Sequence, residues 1–292
     1  DIAVDTRGQL WVVCSVPAVS SDGKSVQWNR GYVDVLDHSG NYLFTVTDAG
    51  SRVMLAVESV SAGKDGLVYV SAQDTAGSFI AVFDEQGAYV RTITAGTVDA
   101  LSDLETASDG TLWVCDQGDQ GNGTVVHLTT TGKELNRFKT AGMPGGLSIC
   151  SNGDLLVCVW GDASDVQQVI RYSPSGVIMR TFGTSGGGRS AGKLYYPYDA
   201  VQLSDGLILV SDAENGRFSA FRQDGSVAWT TQRSWYIPGG MAWSPSGTLY
   251  VADPLHNVIR ELSYGSSSAS QGASFTARFD KVYATSAAGK SV

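Results

Sequence analysis

A chain of 292 residues with 42% apolar content is long enough to bury a core without staples, since a chain of this size hides roughly 75% of its unfolded surface on folding. A net charge of −9 and a pI near 4.7 exclude a broad basic face. Nucleic acid is therefore not an expected partner, because its binding rests on Lys and Arg releasing counterions from phosphate. No run of about 18 apolar residues occurs, so no helical membrane span is expected.

In chain order, the first predicted strand is Ile2 to Val4, followed by a turn ending in Gly8 and the strand core GQLWVVCS. A long loop from Ser15 to Gly31, carrying Trp28 and Arg30, leads to the hairpin VDVLDHSGNYLF from Val33. The same pattern returns at Gly66 (GLVYVSAQ, then FIAVFDEQGAYV) and at Gly110 (GTLWVCDQ, then VVHLTTTGKEL). It recurs at Gly153 (GDLLVCVW, then VIRYSPSGVIM), at Gly206 (GLILVSDA, then FSAFRQDGSVA) and at Gly247 (GTLYVADP). Glycine ends each turn because a tight hairpin needs a positive φ there. Alternation such as Leu249, Val251 against Tyr250, Ala252 has the period of a strand with two different faces. The register glycines lie roughly 40 to 60 residues apart, a repeat length that means a propeller or solenoid, and four strands a to d per repeat select the propeller.

The fold class is therefore all-β, a six-bladed β-propeller of four-stranded antiparallel blades. One propeller domain is expected over residues 1–284, with blades A to F at about 1–48, 57–95, 101–140, 144–183, 196–232 and 238–284, and a C-terminal tail at 285–292. Blade F lacks an obvious fourth strand. The segment Gly265 to Ala273 reads as a loop, and either Phe275 to Phe279 or Val282 to Ala284 is expected to supply strand d. A start at Asp1 rather than Met is expected of a processed or excised segment.

The strings LYVADPLHNVIREL and LILVSDAENGRFSAF and the approach AGKLYYPYDAV resemble NHL repeats, in which hydrophobic-Val-Ala-Asp is followed by an Asn/His pair before strand c. The likeness extends over residues 1 to 264. It is strongest at Asp253 with His256 and Asn257, fair at Asp212 with Asn215 and at Asp116 with Asn122, and poor where Cys14, Ala72 and Val159 stand at the aspartate position. The resemblance implies a six-bladed platform for protein, RNA or peptide partners, and a minority of such relatives are enzymes.

Uniform short turns join strands a to b and c to d, so length variation and aromatic side chains gather at the other end of the blades, in the b to c loops and d to a connectors. The candidate binding residues there are Trp28, Trp160, Tyr195, Tyr196, Tyr198, Trp235 and Tyr236, since Tyr and Trp anchor protein partners and stack on sugar rings. The glycine-rich connector Gly183 to Gly192 precedes three of them. Blade C carries the loop DQGDQGNG from Asp116, read as a turn rather than a cation loop.

Seven residues before each turn glycine stand Asp1, Ser59, Asp103, Gly146, Asp199 and Gly240. Asp1, Asp103 and Asp199 on alternate blades are a candidate Ca²⁺ set of hard oxygen ligands, with Glu58 and Glu105 close by. The alternative is that these acids accept backbone hydrogen bonds where the chain enters the blade. His38, His127 and His256 fall in a c to d turn, a strand and a b to c loop, which does not suit one tetrahedral zinc site. Cys14, Cys115, Cys150 and Cys158 lack metal or redox spacing and read as buried small hydrophobes without a disulfide framework.

The function expected from these features is a non-catalytic binding or scaffold propeller that engages a protein or glycan partner through its loop-rich face, with no resident cofactor. One alternative is a Ca²⁺-dependent hydrolase or lactonase using the carboxylates above. Another is a subunit of a larger extracellular assembly, self-assembling through its C-terminal segment. The sequon Asn122-Gly123-Thr124 tilts the expected compartment towards the extracellular one.

Overall fold

A computed structural model describes residues 1–19, 26–94, 96, 98–118, 123–161, 166–185, 188, 190–232, 237–244, 246–262 and 279–284, with the backbone alone at 15–19, 26–29 and 279–284. Its secondary structure is all β: six four-stranded antiparallel sheets in chain order and one short extra hairpin, the blades of a six-bladed β-propeller. No helix is present among the described residues, and none is long and apolar enough to cross a membrane.

Blade A comprises Ile2–Val4, Leu10–Val19, Val26–Leu36 and Tyr42–Val46; blade B, Ala56–Ala62, Leu67–Asp74, Gly77–Asp84 and Tyr89–Ile93; blade C, Leu101–Thr106, Leu112–Asp116, Thr124–Leu128 and Glu134–Lys139. Blade D comprises Met143–Ile149, Leu155–Trp160, Gln167–Tyr172 and Ile178–Phe182; blade E, Pro197–Gln202, Ile208–Asp212, Arg217–Phe221 and Val227–Thr230; blade F, Met241–Trp243, Leu249–Asp253, Val258–Leu262 and Phe279–Ala284. Strand d of blade F is thus supplied by the Val282–Ala284 segment, in which Val258 pairs with Ala284 and Ile259 with Tyr283. The chain divides into two compact units, Asp1–Leu147 and Ser148–Val292.

The turns follow from glycine chemistry. In the a to b turns Gly8, Gly66, Gly110, Gly153, Gly206 and Gly247 all have φ between +75° and +86°. The c to d turns repeat this at Gly40, Gly87, Gly132, Gly176 and Gly225. Each is a type I turn closed by a left-handed residue: at the first c to d turn, Gly40 N–H donates to Asp37 O and Asp37 N–H to Asn41 O, the pattern of a hairpin ending in a G1 bulge. The residue opening the turn adds a side-chain acceptor, as when Asp37 Oδ1 takes the N–H groups of Ser39 and Asn41.

The two-residue period of the strands divides each sheet between two cores. In the first unit Val68, Val70 and Ala72 with Phe79, Ala81 and Phe83 pack towards Trp11, Val33 and Val35 of blade A. The intervening Tyr69, Ile80 and Val82 pack towards Leu112, Val114 and Val126 of blade C. The second unit repeats the scheme: Ile208 and Val210 join Leu156, Cys158 and Phe182 of blade D, while Leu209 and Ala220 join Met241, Leu249 and Val251 of blade F. The interleaved apolar runs of the sequence therefore serve blade-to-blade packing on both faces. The four cysteines are free, and three of them are buried.

Two features near blade A differ from the sequence expectation. The segment Ser15 to Gly31 is not an open loop but mostly strand, because strands b and c extend into a long hairpin with Val19 opposite Val26. The backbone of Trp28 consequently lies in strand c, opposite Pro17. An additional hairpin, Asp48–Ala49 with Arg52–Val53, stands between blades A and B. It is fixed by Arg52, which contacts Asp74 at 2.6 Å and lies 3.7 Å over the Phe79 ring.

Open space surrounds a Cβ placed on Gly153, whereas one on Gly132 would meet Ile93 Cγ2 at 2.8 Å. Gly153→Ala is expected to cost only the left-handed backbone penalty of about 1–2 kcal/mol, and Gly132→Ala distinctly more. Urea denaturation of the two variants checks the order; equal losses would show that φ alone governs both turns.

Candidate functional site

The acidic register position resolves into a set of links between successive blades. Asp1 Oδ2 accepts the N–H of Val60 at 3.0 Å, and Ser59 Oγ accepts that of Leu104 at 2.9 Å. Asp103 Oδ2 accepts that of Leu147 at 2.6 Å, and Asp199 Oδ2 that of Met241 at 2.8 Å. In every case the acceptor stands seven residues before its own turn glycine and the donor six residues before the next. Gly146 and Gly240, at the same position, have no side chain to do this. The second oxygens of Asp103 and Asp199 take the N–H groups of Leu104 and Ala200, so these carboxylates perform the backbone-capping role. Asp199 is the most enclosed; burial pushes its carboxyl up to about 6, against the opposing pull of the Met241 and Ala200 N–H groups. Burial also raises Glu58. Among the described residues no group of three His, Cys, Asp or Glu side chains is placed to hold a metal ion.

Removing the Asp103 side chain would leave the N–H of the buried Leu147 without its acceptor. Asp103→Ala is expected to cost about 1–3 kcal/mol and Asp103→Asn much less, with or without Ca²⁺. A melting temperature that rises with Ca²⁺ in the wild type and not in Asp103→Ala would instead assign these oxygens to a metal.

A second set of carboxylates closes the b to c ends of blades C, E and F. Asp212 accepts from Tyr195 N–H at 2.9 Å, Asn215 Nδ2 at 2.8 Å, Arg217 Nε at 2.8 Å and Ser219 Oγ at 3.2 Å. Asp253 is likewise fully buried, against Arg260 Nη2 and His256 Nδ1, each at 2.8 Å. Asp116 takes the N–H groups of Ala100 and Gly118 and faces Arg137 at 3.5 Å. His256 thus occupies the place that Asn215 holds in blade E and fixes the loop. His127 stacks flat on Trp113, ring centroids 4.0 Å apart, with Nε2 at 2.7 Å from Thr111 Oγ1.

Three of the seven candidate aromatic residues are in ring contact in the second unit, and a fourth, Tyr198, lies two residues along the chain. Trp160 ends strand b of blade D, Tyr195 and Tyr196 lie in the connector to blade E, and Tyr198 is the second residue of strand a. Trp160 and Tyr196 meet edge to face at 5.2 Å and 86°, and Tyr195 and Tyr196 at 5.3 Å and 68°. The three tyrosines remain 39%, 40% and 41% exposed. Beneath them the chain is anchored by buried Leu194 and Pro197. Tyr195 N–H goes to buried Asp212, and Tyr196 N–H to Oε1 of buried Gln167 at 2.8 Å. Tyr196 has φ +49°, a left-handed conformation that costs a bulky residue about 1–3 kcal/mol. The glycine-rich connector is pinned alongside, where Arg217 Nη2 donates to the carbonyls of Ser190 and Lys193.

Of the other candidates, Trp28 is placed by its backbone alone, in a strand, while Trp235 and Tyr236 lie outside the described residues, as do Asn122, Asp162 and Asp165. Sequence reasoning missed Gln167 and the left-handed turn at Tyr196, since no glycine marks that turn.

No family model and no curated protein matches the chain. Among solved structures it is similar to a protein of unknown function from Bacteroides caccae, with a TM-score of 0.59 and 14% identity over 80% of this chain and 86% of that one. It is also similar to a streptogramin B lyase, with a TM-score of 0.54 and 15% identity over 87% of this chain and 70% of that one. The virginiamycin B lyase from Staphylococcus aureus gives 0.53 and 14% over 87% and 71%. At these identities the likeness is one of fold.

Proposed function

We propose that this chain is an NHL-like propeller acting as a binding platform, which engages a protein or glycan partner through the b to c loops and d to a connectors. The observation that carries the reading is the ledge of exposed Tyr195, Tyr196 and Tyr198 beside the partly buried Trp160, with the strained main chain at Tyr196 held by buried Gln167 and the main chain at Tyr195 by buried Asp212. Variable connectors on a rigid scaffold are where recognition usually lives. Backbone strain persists where its surroundings over-determine it, and it clusters at ligand sites. A binding role also accords with the histidines, which are engaged in loop fixing at Asp253 and in ring stacking on Trp113.

The chain immobilised at one terminus is expected to retain from an extract of its source a component that the Tyr195→Ala/Tyr198→Ala double variant does not retain, with the two melting within a few degrees of each other. Equal retention by both proteins would place recognition elsewhere on the molecule.

A further inference from the structure

We infer that the ligand of the Tyr195, Tyr196 and Tyr198 ledge is a neutral oligosaccharide, an inference that rests on the platform reading of the same residues. Three features of the ledge select this class.

The first is size. At about two-fifths exposure each, and taking about 150–250 Å² per aromatic side chain, the three tyrosines offer roughly 200–300 Å² of ring surface. A folded protein partner needs about 800 Å² on each side, whereas one or two pyranose rings fit the smaller figure.

The second is the state of the main chain. Tyr195 N–H is spent inward on Asp212, Tyr196 N–H on Gln167, and the Tyr195 carbonyl on Glu214 N–H at 3.1 Å. An extended peptide adding a strand needs such groups free along an edge. Here the recognition surface is left to side chains, which is how sugars are held.

The third is ring chemistry and charge. The face of an aromatic ring is electron-rich and attracts the weakly positive C–H face of a pyranose, and rings set at 68° and 86° to one another form walls of different orientation. The Arg217 guanidinium beneath the ledge is already committed to Asp212 and to the Ser190 and Lys193 carbonyls. The chain as a whole carries −9. The committed Arg217 offers no cation to a sulfate or carboxylate, and a net negative chain favours a neutral sugar over an anionic one.

The test uses the full chain on a printed array of neutral and anionic oligosaccharides beside an immobilised random-peptide library. Three proteins are compared: wild type, Tyr195→Ala/Tyr198→Ala, and Tyr42→Ala, whose tyrosine is 57% exposed on strand d of blade A. Wild type and Tyr42→Ala should be retained by at least one neutral glycan, and calorimetry with that glycan should show about tenfold or greater weakening in the double variant. Absence of wild-type retention on every neutral glycan, or retention that the double variant keeps, overturns the sugar assignment. Peptides retained by wild type and lost by the double variant would overturn it while leaving the platform reading standing. Silence on both surfaces would overturn the sugar assignment, while the platform reading stands or falls by retention from the extract.

Discussion

Strand a of each blade pairs with strand b alone, so its other edge carries main-chain groups without a ladder partner. Such an edge is costly when buried and invites mispairing when exposed. This protein meets the problem with a side chain from the preceding blade, repeated at one register position: Asp1 for Val60, Ser59 for Leu104, Asp103 for Leu147 and Asp199 for Met241. A neutral hydroxyl serves in blade B where carboxylates serve in blades A, C and E, so a charge is not needed for the link, and blades D and F, with Gly146 and Gly240 at this position, go without it. The core around Val68 and Val70 is bridged in this way by Asp1, whereas the core around Ile208 and Val210, between blades D and E, has Gly146 at the linking position and is held by apolar packing.

Much of this was legible in the sequence because it is local and periodic. The turn glycines set the register, the positive φ values follow from their position, and the alternating strands follow from the register. The acid repeat at Asp1, Asp103 and Asp199 was visible too, together with the alternative that these groups cap backbone. The capping contacts themselves depend on the location of Val60, Leu147 and Met241, each more than 40 residues away in sequence. The long hairpin of blade A was hidden because Ser15 to Gly31 is rich in turn-forming residues and contains Pro17, although a strand edge tolerates both. At the ledge, aromatic composition pointed to Tyr195, Tyr196 and Tyr198, but no pattern announces that Gln167 reaches across to hold Tyr196.

The repeat and the proposed recognition ledge draw on largely different parts of the chain. Turn glycines at fixed register build the blades, and side-chain acceptors at a second fixed register join four of the successive pairs. The ledge has no counterpart of this kind: it sits in the Gly-rich connector between blades D and E, where the chain departs from the repeat. Buried Asp212 belongs to both systems. It closes the b to c end of blade E through Arg217 and Asn215, and it also positions Tyr195. A rigid, preorganised ledge keeps small the ordering cost that a ligand would otherwise have to meet.

On the platform reading, Tyr196 is kept in a left-handed conformation for what its ring does at the surface rather than for packing. Chemical denaturation of Tyr196→Gly measures this directly, because glycine accepts φ +49° without strain. The expected stability is within about 1 kcal/mol of wild type, the relief of strain offsetting the lost edge-to-face contacts with Trp160 and Tyr195. A loss of about 3 kcal/mol or more would make the Tyr196 ring a packing element and rule out a conformation kept for surface recognition.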